Sequence, residues 1–410
     1  MTLDVNKPLV ALGWFFCALF FLYAFILRVA PAVMVEDLMR EFSVGAAILG
    51  NLSATYLYIY AGLQIPLGLL VDKFGLRGLV AGACAVCGLG CLVFAVADSI
   101  YSAYLGRALV GAGAAFSFVG ALNMAARWFP SRFAVLGGWA QMMGSAGGFI
   151  GQAPLSLAIA SFGWRNSNIG LGVAGLVLAC LLLFTVRDPK TDKREQAFSI
   201  WFGLKAVTTS LQTWLATFAA SGLTGTLLAF GGLWGVPYLM TARDLEKPEA
   251  ASLISIIFIG WALGAPFFGW FSDRLRNRRS LLLVGTAGAT ITTGTLIFFP
   301  VMSSVFLVIV LALQGAFSST MIVGFAHVKE SNLSQSSGVA LGLINTFVVG
   351  SGAVLQPIVG ILLDQKWLGA FSNGIRLYDV TDYQESLAIL PVVCFLSFVS
   401  AFFVRETRTV

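Results

Sequence analysis

Charge is what this chain has least of. Only 11% of its 410 residues are Asp, Glu, Lys or Arg, against 58% hydrophobic, where an ordinary soluble domain carries roughly 25% charged residues. That scarcity excludes a water-soluble fold. Histidine is scarcer still: His327 stands alone, and no cluster of His, Cys and acids has metal-ligand spacing. No phosphate-cradling glycine loop and no set of nucleophile, base and acid can be assembled, so neither a cofactor nor an enzymatic activity is expected. The six cysteines, Cys17, Cys84, Cys87, Cys91, Cys180 and Cys394, all fall inside apolar runs, where a thiol behaves as a small hydrophobe. Acids are missing from the middle of those runs too, since all 19 fit in termini, loops or run ends.

The apolar runs themselves are abundant. With about 20 residues needed per crossing, twelve candidate spans fit, at about 9–33, 46–70, 79–97, 101–126, 134–160, 166–186, 209–240, 251–272, 280–299, 302–327, 338–363 and 386–404. The fold class expected is an all-α membrane protein, its twelve transmembrane helices arranged as two pseudo-symmetric six-helix bundles. The bundles would cover 1–188 and 208–410, joined by a polar linker over 189–207 that holds Pro189, Lys190, Lys193, Arg194 and Glu195. A short surface helix from Phe198 to Lys205 is expected within the linker. The first run has no small-residue cleavage site after it, so it reads as a retained helix.

Basic residues fix an orientation. Placing the N-terminus inside puts 17 of the 25 Lys and Arg on the cytoplasmic side and only Arg40, Arg165, Arg243, Lys247, Lys366 and Arg376 outside. The positive-inside rule therefore predicts both termini in the cytoplasm, in a cytoplasmic (inner) membrane. The net charge of +6 then reports topology rather than a nucleic-acid partner. The expected partners are the lipid bilayer and a small molecule, bound by a monomer.

A fixed-offset repeat ties the halves together. Gly68-Leu-Leu-Val-Asp72-Lys73-Phe-Gly75-Leu-Arg77-Gly78 returns about 200 positions later as Gly269-Trp-Phe-Ser-Asp273-Arg274-Leu-Arg276-Asn-Arg278-Arg279, each copy breaking two apolar runs. In the fifth run Gln141, Gly148 and Gln152 share one helix face, and in the eleventh Asn345, Gly352 and Gln356 repeat that spacing 204 residues on. These amides suit interhelical hydrogen bonds as well as they suit a ligand.

Over nearly its whole length the chain resembles the major facilitator superfamily of transporters. Gly68, Asp72, Gly75 and Arg77 match that superfamily's signature between its second and third helices. Arg107, Gly111 and Gly113 are similar to its fourth-helix signature, and Phe162-Gly-Trp-Arg165 and Arg187-Asp-Pro189 sit where the superfamily has them. The resemblance implies a latch in which Asp72 and Arg77, with Asp273 and Arg274 in the second copy, tie the bundles together on the cytoplasmic side until that side opens. The run Phe21-Leu-Tyr23-Ala-Phe-Ile-Leu-Arg28 resembles the first helix of organic-anion members, where a late arginine binds the substrate anion. The aspartate such symporters often place before it is Leu27 here, which removes a proton carrier.

Two arginines lie within spans, Arg28 and Arg107. An arginine at a helix centre costs roughly 2.5–3.5 kcal/mol on translocon scales, so it usually has a use. Arg28 either binds an anion or snorkels to the interface. Arg107 either binds substrate or hydrogen-bonds backbone carbonyls. Tyr56, Tyr60 and Gln64 form an aromatic and polar stripe on the second span. Trp234, Tyr238 and Gln314 are candidates for a facing wall, with Gln141, Asn345 and Gln356 as further substrate ligands. His327 is either a proton carrier or a residue of the cytoplasmic interface.

The expected function is a secondary transporter for a small anionic organic solute, such as a carboxylate, dipeptide or vitamin-like anion. It would act by alternating access as uniporter, exchanger or symporter, with protons or a counter-anion left open as coupling partners. Export of amphiphilic drugs or siderophores, and a solute receptor that does not transport, are the alternatives.

Overall fold

The computed structural model describes residues 7–64, 75–188, 200–333, 336–372 and 374–407. Helices dominate, as a low-dielectric surround demands, because a helix satisfies its backbone N–H and C=O groups within one segment. In chain order they are α1 (Lys7–Val29), α2 (Ala46–Leu63), α3 (Leu76–Ala95), α4 (Ile100–Trp128), α5 (Phe133–Ile150) and α6 (Ala153–Thr185) in the first half. The second half holds α7 (Leu211–Arg243), α8 (Lys247–Leu275), α9 (Arg278–Phe298), α10 (Ser304–Glu330), α11 (Ser337–Lys366) and α12 (Val380–Phe402). A short helix, Ile200–Thr208, precedes α7, and its Val207 is buried among C-terminal-half core residues such as Ala216 and Ile344.

Among the described residues eleven helices are long and apolar enough to cross a membrane, and α5 completes the twelve-helix arrangement. Sequence periodicity placed one unbroken span at 134–160. The chain instead leaves helical geometry at Gln152 (φ −106°, ψ −89°), where Pro154 cannot donate a backbone bond. It then runs on as the start of α6 and turns sharply at Gly163, whose φ of 78° lies in the region that favours glycine. The tail of the fifth span and the whole sixth span therefore share α6. Among the described residues four other spans are interrupted, α10 between Ser318 and Met321 and α12 at Ala388 among them. α4 breaks between Ala114 and Ser117, and α7 carries a π-helical turn at Phe230–Trp234.

Small residues set the helix spacing, as expected where apolar lipid gives helices no hydrophobic reason to associate. Within the first half, a Cβ on Gly113 of α4 would sit 2.2 Å from the Ala83 carbonyl oxygen of α3. Between the halves, α2 and α11 pack along their length. A Cβ on Gly50 would meet the Gln356 carbonyl oxygen at 2.7 Å, and one on Gly360 would meet the Ala46 carbonyl oxygen at 2.3 Å. Further along, Asn345 Nδ2 donates to Gln64 Oε1 at 2.8 Å. α5 meets α8 where Gly148 lies against the Phe258 ring.

Gly113→Val should overpack the α3–α4 contact and lower stability by at least about 1–3 kcal/mol. Gly294→Ala, with nothing within 4 Å of the added carbon, should hold or slightly raise the melting temperature, since a glycine inside a helix costs roughly 0.5–1 kcal/mol relative to alanine. Thermal melts of the two purified variants, followed by size-exclusion fluorescence, check the contrast.

Candidate functional site

Arg28 ends α1 and is 8% exposed. It does not extend to the surface. Its guanidinium lies 4.5 Å from the Phe25 ring centroid, 4.7 Å from Tyr60 and 5.5 Å from Tyr56. Phe25 in turn packs against Phe258 at 6.1 Å and Trp261 at 5.5 Å, both on α8, so this cluster stands where the two halves meet. Nε and Nη2 of Arg28 are buried with no hydrogen-bond partner, and among the described residues no carboxylate forms an ion pair with it. Three aromatic faces, at about 0.5–2 kcal/mol each, do not offset the several kcal/mol that an unpaired buried ion costs.

Arg107 is used differently. Its Nη1 donates to the Leu27 carbonyl at 2.8 Å and its Nη2 to the Ser53 carbonyl at 3.1 Å, binding α4 to α1 and α2. The same Tyr56 ring lies 5.2 Å from its centre, so one tyrosine contacts both guanidinium groups. Tyr56 is held by donating to the Ala24 carbonyl at 3.1 Å and stacks on Tyr60 at 6.0 Å. Gly111 makes this possible, since a Cβ there would meet the Tyr56 carbonyl oxygen at 2.5 Å. A void of about one water's size lies beside Arg107, bounded by Leu27, Cys91, Phe94 and Asn168.

The other residues expected at the site are dispersed. Gln64 and Asn345 pair with each other across the halves. Trp234 donates from Nε1 to the Gln356 carbonyl at 2.9 Å. Tyr238 donates to the carbonyls of Leu296 and Ile297 at 3.1 and 2.7 Å, within the second half and apart from the Arg28 cluster. Gln314 accepts from Thr292 and donates to Ser318, also within that half. Gln141 is half-buried on α5. Trp234, Tyr238 and Gln314 are thus taken up by groups one turn or one helix away, where an unmade bond is expensive.

Gln152, between α5 and α6, and Gln356 of α11, the matched amides, both reach α7, the first within its π-helical turn and the second just before it. Gln152 Nε2 donates to the Gly231 carbonyl at 2.7 Å and Gln356 Nε2 to the Leu228 carbonyl at 3.0 Å. Both leave Oε1 buried and unbonded. The constant offset of 204 residues was the signal for this pair, although nothing in it pointed to α7.

Of the gating residues, Gly68 and Asp72 lie outside the described residues. Gly75 (φ 74°) precedes α3, whose first N–H groups are capped by Asp188: Leu76 N donates at 2.7 Å and Arg77 N at 3.3 Å. Arg77 Nε donates to the Leu183 carbonyl at 2.6 Å. In the second half Arg278 pairs with Asp273 at 2.7 Å and Glu330 at 2.8 Å, while the Arg274 guanidinium stacks on Trp270 at 5.4 Å. Arg278 occupies the place of Arg77 in the repeat, and that correspondence could have named it where Arg274 was chosen. Each of these bonds stays within its own half. His327, buried at the same end, bonds through Nε2 to the Arg405 carbonyl at 2.8 Å.

Charged cross-half bonds are made at the other end of the helices. Lys247 of α8 pairs with Asp37 at 2.8 Å and Glu36 at 3.7 Å. Asp364 of α11 accepts from the backbone N–H groups of Ala46 and Ala47 at the start of α2, at 3.1 and 2.9 Å. The end remote from the described termini is thus closed by charge.

The Major Facilitator Superfamily profile matches residues 15–242 and 223–410. The chain is 23% identical to the probable galactarate/D-glucarate transporter GudP of Bacillus subtilis (strain 168), covering 93% of this chain and 91% of that one. It is 28% identical to the gentisate transporter of Corynebacterium glutamicum, covering 89% and 83%. A crystal structure of a bacterial homolog to the human lysosomal transporter Spinster, in inward-facing and unoccupied conformation, superposes with a TM-score of 0.79 at 16% identity, over 98% of this chain and 99% of that one.

The two arginines should separate in stability measurements. Arg107→Met strands two carbonyls that accept charged bonds worth about 1.5–3 kcal/mol each, so its melting temperature should fall. Arg28→Met removes two unsatisfied donors, each a burden of about 1–3 kcal/mol, and its melting temperature should hold or rise. A fall for Arg28→Met as large as for Arg107→Met would contradict the assignment.

Proposed function

The chain belongs to the Major Facilitator Superfamily and is a membrane transporter rather than an enzyme, and we propose that it carries a small organic anion whose carboxylate is held by Arg28. The observation that carries this reading is the buried guanidinium with two unpartnered N–H groups and no acid beside it among the described residues. A carboxylate supplies the charge and the two acceptors that Arg28 lacks, in the bidentate geometry for which guanidinium is suited. The relatives' cargoes support the class, since galactarate, glucarate and gentisate are all carboxylates.

Substrate entry would displace one of the rings that cover Arg28. Phe25 is the candidate, because it also touches Phe258 and Trp261 of the opposing half, and its movement would report occupancy to α8. Arg107 acts in support, holding the carbonyls of Leu27 and Ser53 and adding positive potential behind Tyr56. Tyr60 and Trp261 give an apolar or aromatic portion of the cargo a surface.

The distribution of Lys and Arg supports both termini in the cytoplasm, which makes the present conformation closed toward the outside. The latch predicted for the cytoplasmic side would form in the opposite state, when Asp72 and Asp273 engage the other half. With Leu27 beside Arg28, a proton would travel on the substrate or a counter-anion would return through the same site.

Uptake of labelled galactarate and gentisate into proteoliposomes tests the reading. Wild-type protein should transport at least one of a panel of such carboxylates, and Arg28→Gln should reduce uptake roughly 100-fold or more, as expected for loss of two charged hydrogen bonds. Wild-type rates in that variant would overturn the role of Arg28. Outward flux of an uncharged amphiphile with no carboxylate uptake would favour an exporter, and binding with no flux a receptor.

A further inference from the structure

We propose that Asp364 is the positioning residue that holds the outer end shut, acting as a charge-to-helix latch on the N-terminus of α2. The bonds crossing between the halves there are of unequal quality. The Lys247 to Asp37 pair joins side chains about as exposed as Asp364 itself, but it holds the halves through one long flexible lysine, whose ordering offsets much of the gain. Asp364 instead gathers four donors. Its Oδ1 accepts from Ala46 N, Arg376 Nη1 at 3.0 Å and Tyr378 Oη at 2.6 Å, and its Oδ2 accepts from Ala47 N. Tyr378 Oη also accepts from Ala46 N at 3.3 Å.

The two halves contribute differently to this arrangement. Arg376 and Tyr378, on the segment between α11 and α12, belong with Asp364 to the second half and fix its carboxylate in place. Burial and the carboxylate together hold the Tyr378 phenol protonated, so it remains a donor. The first half offers only the amino end of α2, where unsatisfied N–H groups and the helix dipole attract negative charge. No partner on that half needs to move as a side chain. Gly45 allows the approach, since a Cβ there would lie 2.6 Å from both carboxylate oxygens. Asp188 caps α3 in the same way but from its own half, so it cannot sense whether the halves have parted. Asp364 can, because every opening of this end must strip two N–H bonds from it and leave α2 uncapped.

Opening is measurable without any substrate, which separates this proposal from the role of Arg28. Spin labels at Tyr101→Cys and Val301→Cys, both highly exposed at this end and in opposite halves, report the separation by pulsed dipolar spectroscopy on the full chain in nanodiscs, in a Cys180→Ser background. The wild type should give one short-distance population. Asp364→Ala should add a longer one, and Ala46→Pro should do the same from the other side, because proline is tolerated at the first helical position but has no N–H to give. Lys247→Gln should shift the distribution less than either. If Asp364→Ala does not fold, Ala46→Pro alone decides. Wild-type distributions in both folded variants, or a larger shift in Lys247→Gln, would overturn the latch.

Discussion

The rest of the structure depends on an uncompensated positive charge held where dielectric screening is weak. Arg28 is surrounded by Phe25, Tyr56 and Tyr60, which soften the cost of burial without neutralising it. A protein built only for stability would have replaced this side chain with a hydrophobe. The neighbouring arrangement is consistent with that view: Arg107 places its two Nη groups on backbone carbonyls while its Nε stays unbonded, Tyr56 is pinned to Ala24, and Phe258 and Trp261 of α8 reach across to Phe25. On the proposed reading of Arg28, affinity for an anion and the cost of the empty site are two descriptions of one deficit.

The two halves share a plan and use it unequally. Each has a carboxylate beyond its last span that caps the start of its third helix: Asp188 accepts from Leu76 and Arg77, and Glu406 accepts from Arg279 at 3.0 Å. Each places a glutamine against α7. Yet α7 belongs to the second half, so Gln356 binds a helix of its own bundle while Gln152 reaches into the other. Identical chemistry is internal cement in one half and a separable contact in the other. Asymmetry of this kind lets a duplicated fold acquire a moving part without new residue types.

Much of this architecture is legible in the amino-acid sequence. The hydrophobic runs gave the spans because their period and length answer directly to the bilayer. The repeat gives the two-bundle plan, and the lack of acids within the apolar runs agrees with the lack of an ion pair to Arg28 among the described residues. What could not be read was partner choice. Arg107 and Arg28 look alike in sequence, and only helix rotation decides that one meets the carbonyls of Leu27 and Ser53. Tyr238 and Gln314 are polar residues on apolar helices, as cavity ligands would be, but local carbonyls and hydroxyls satisfy them first. The break at Gln152 and the turn at Gly163 escaped periodicity because flanking residues remain apolar throughout. Asp364 was passed over because an acid at a span end is ordinary until its neighbour is known to be the amino end of a helix from the other half.

The π-helical turn of α7 has a mechanical implication. A turn closed over five residues contains one more than an α-helical turn, and returning that residue to regular winding would rotate everything beyond it by about 100° with about 1.5 Å of added rise. Trp234 and Tyr238 would swing onto a different side of the rod, and the Gly231 carbonyl would turn back into the helical ladder, away from Gln152. α7 is therefore a stored register shift: one extra residue wound into the turn, with Gln152 on the Gly231 carbonyl, whose release would turn the helix on its axis without bending it.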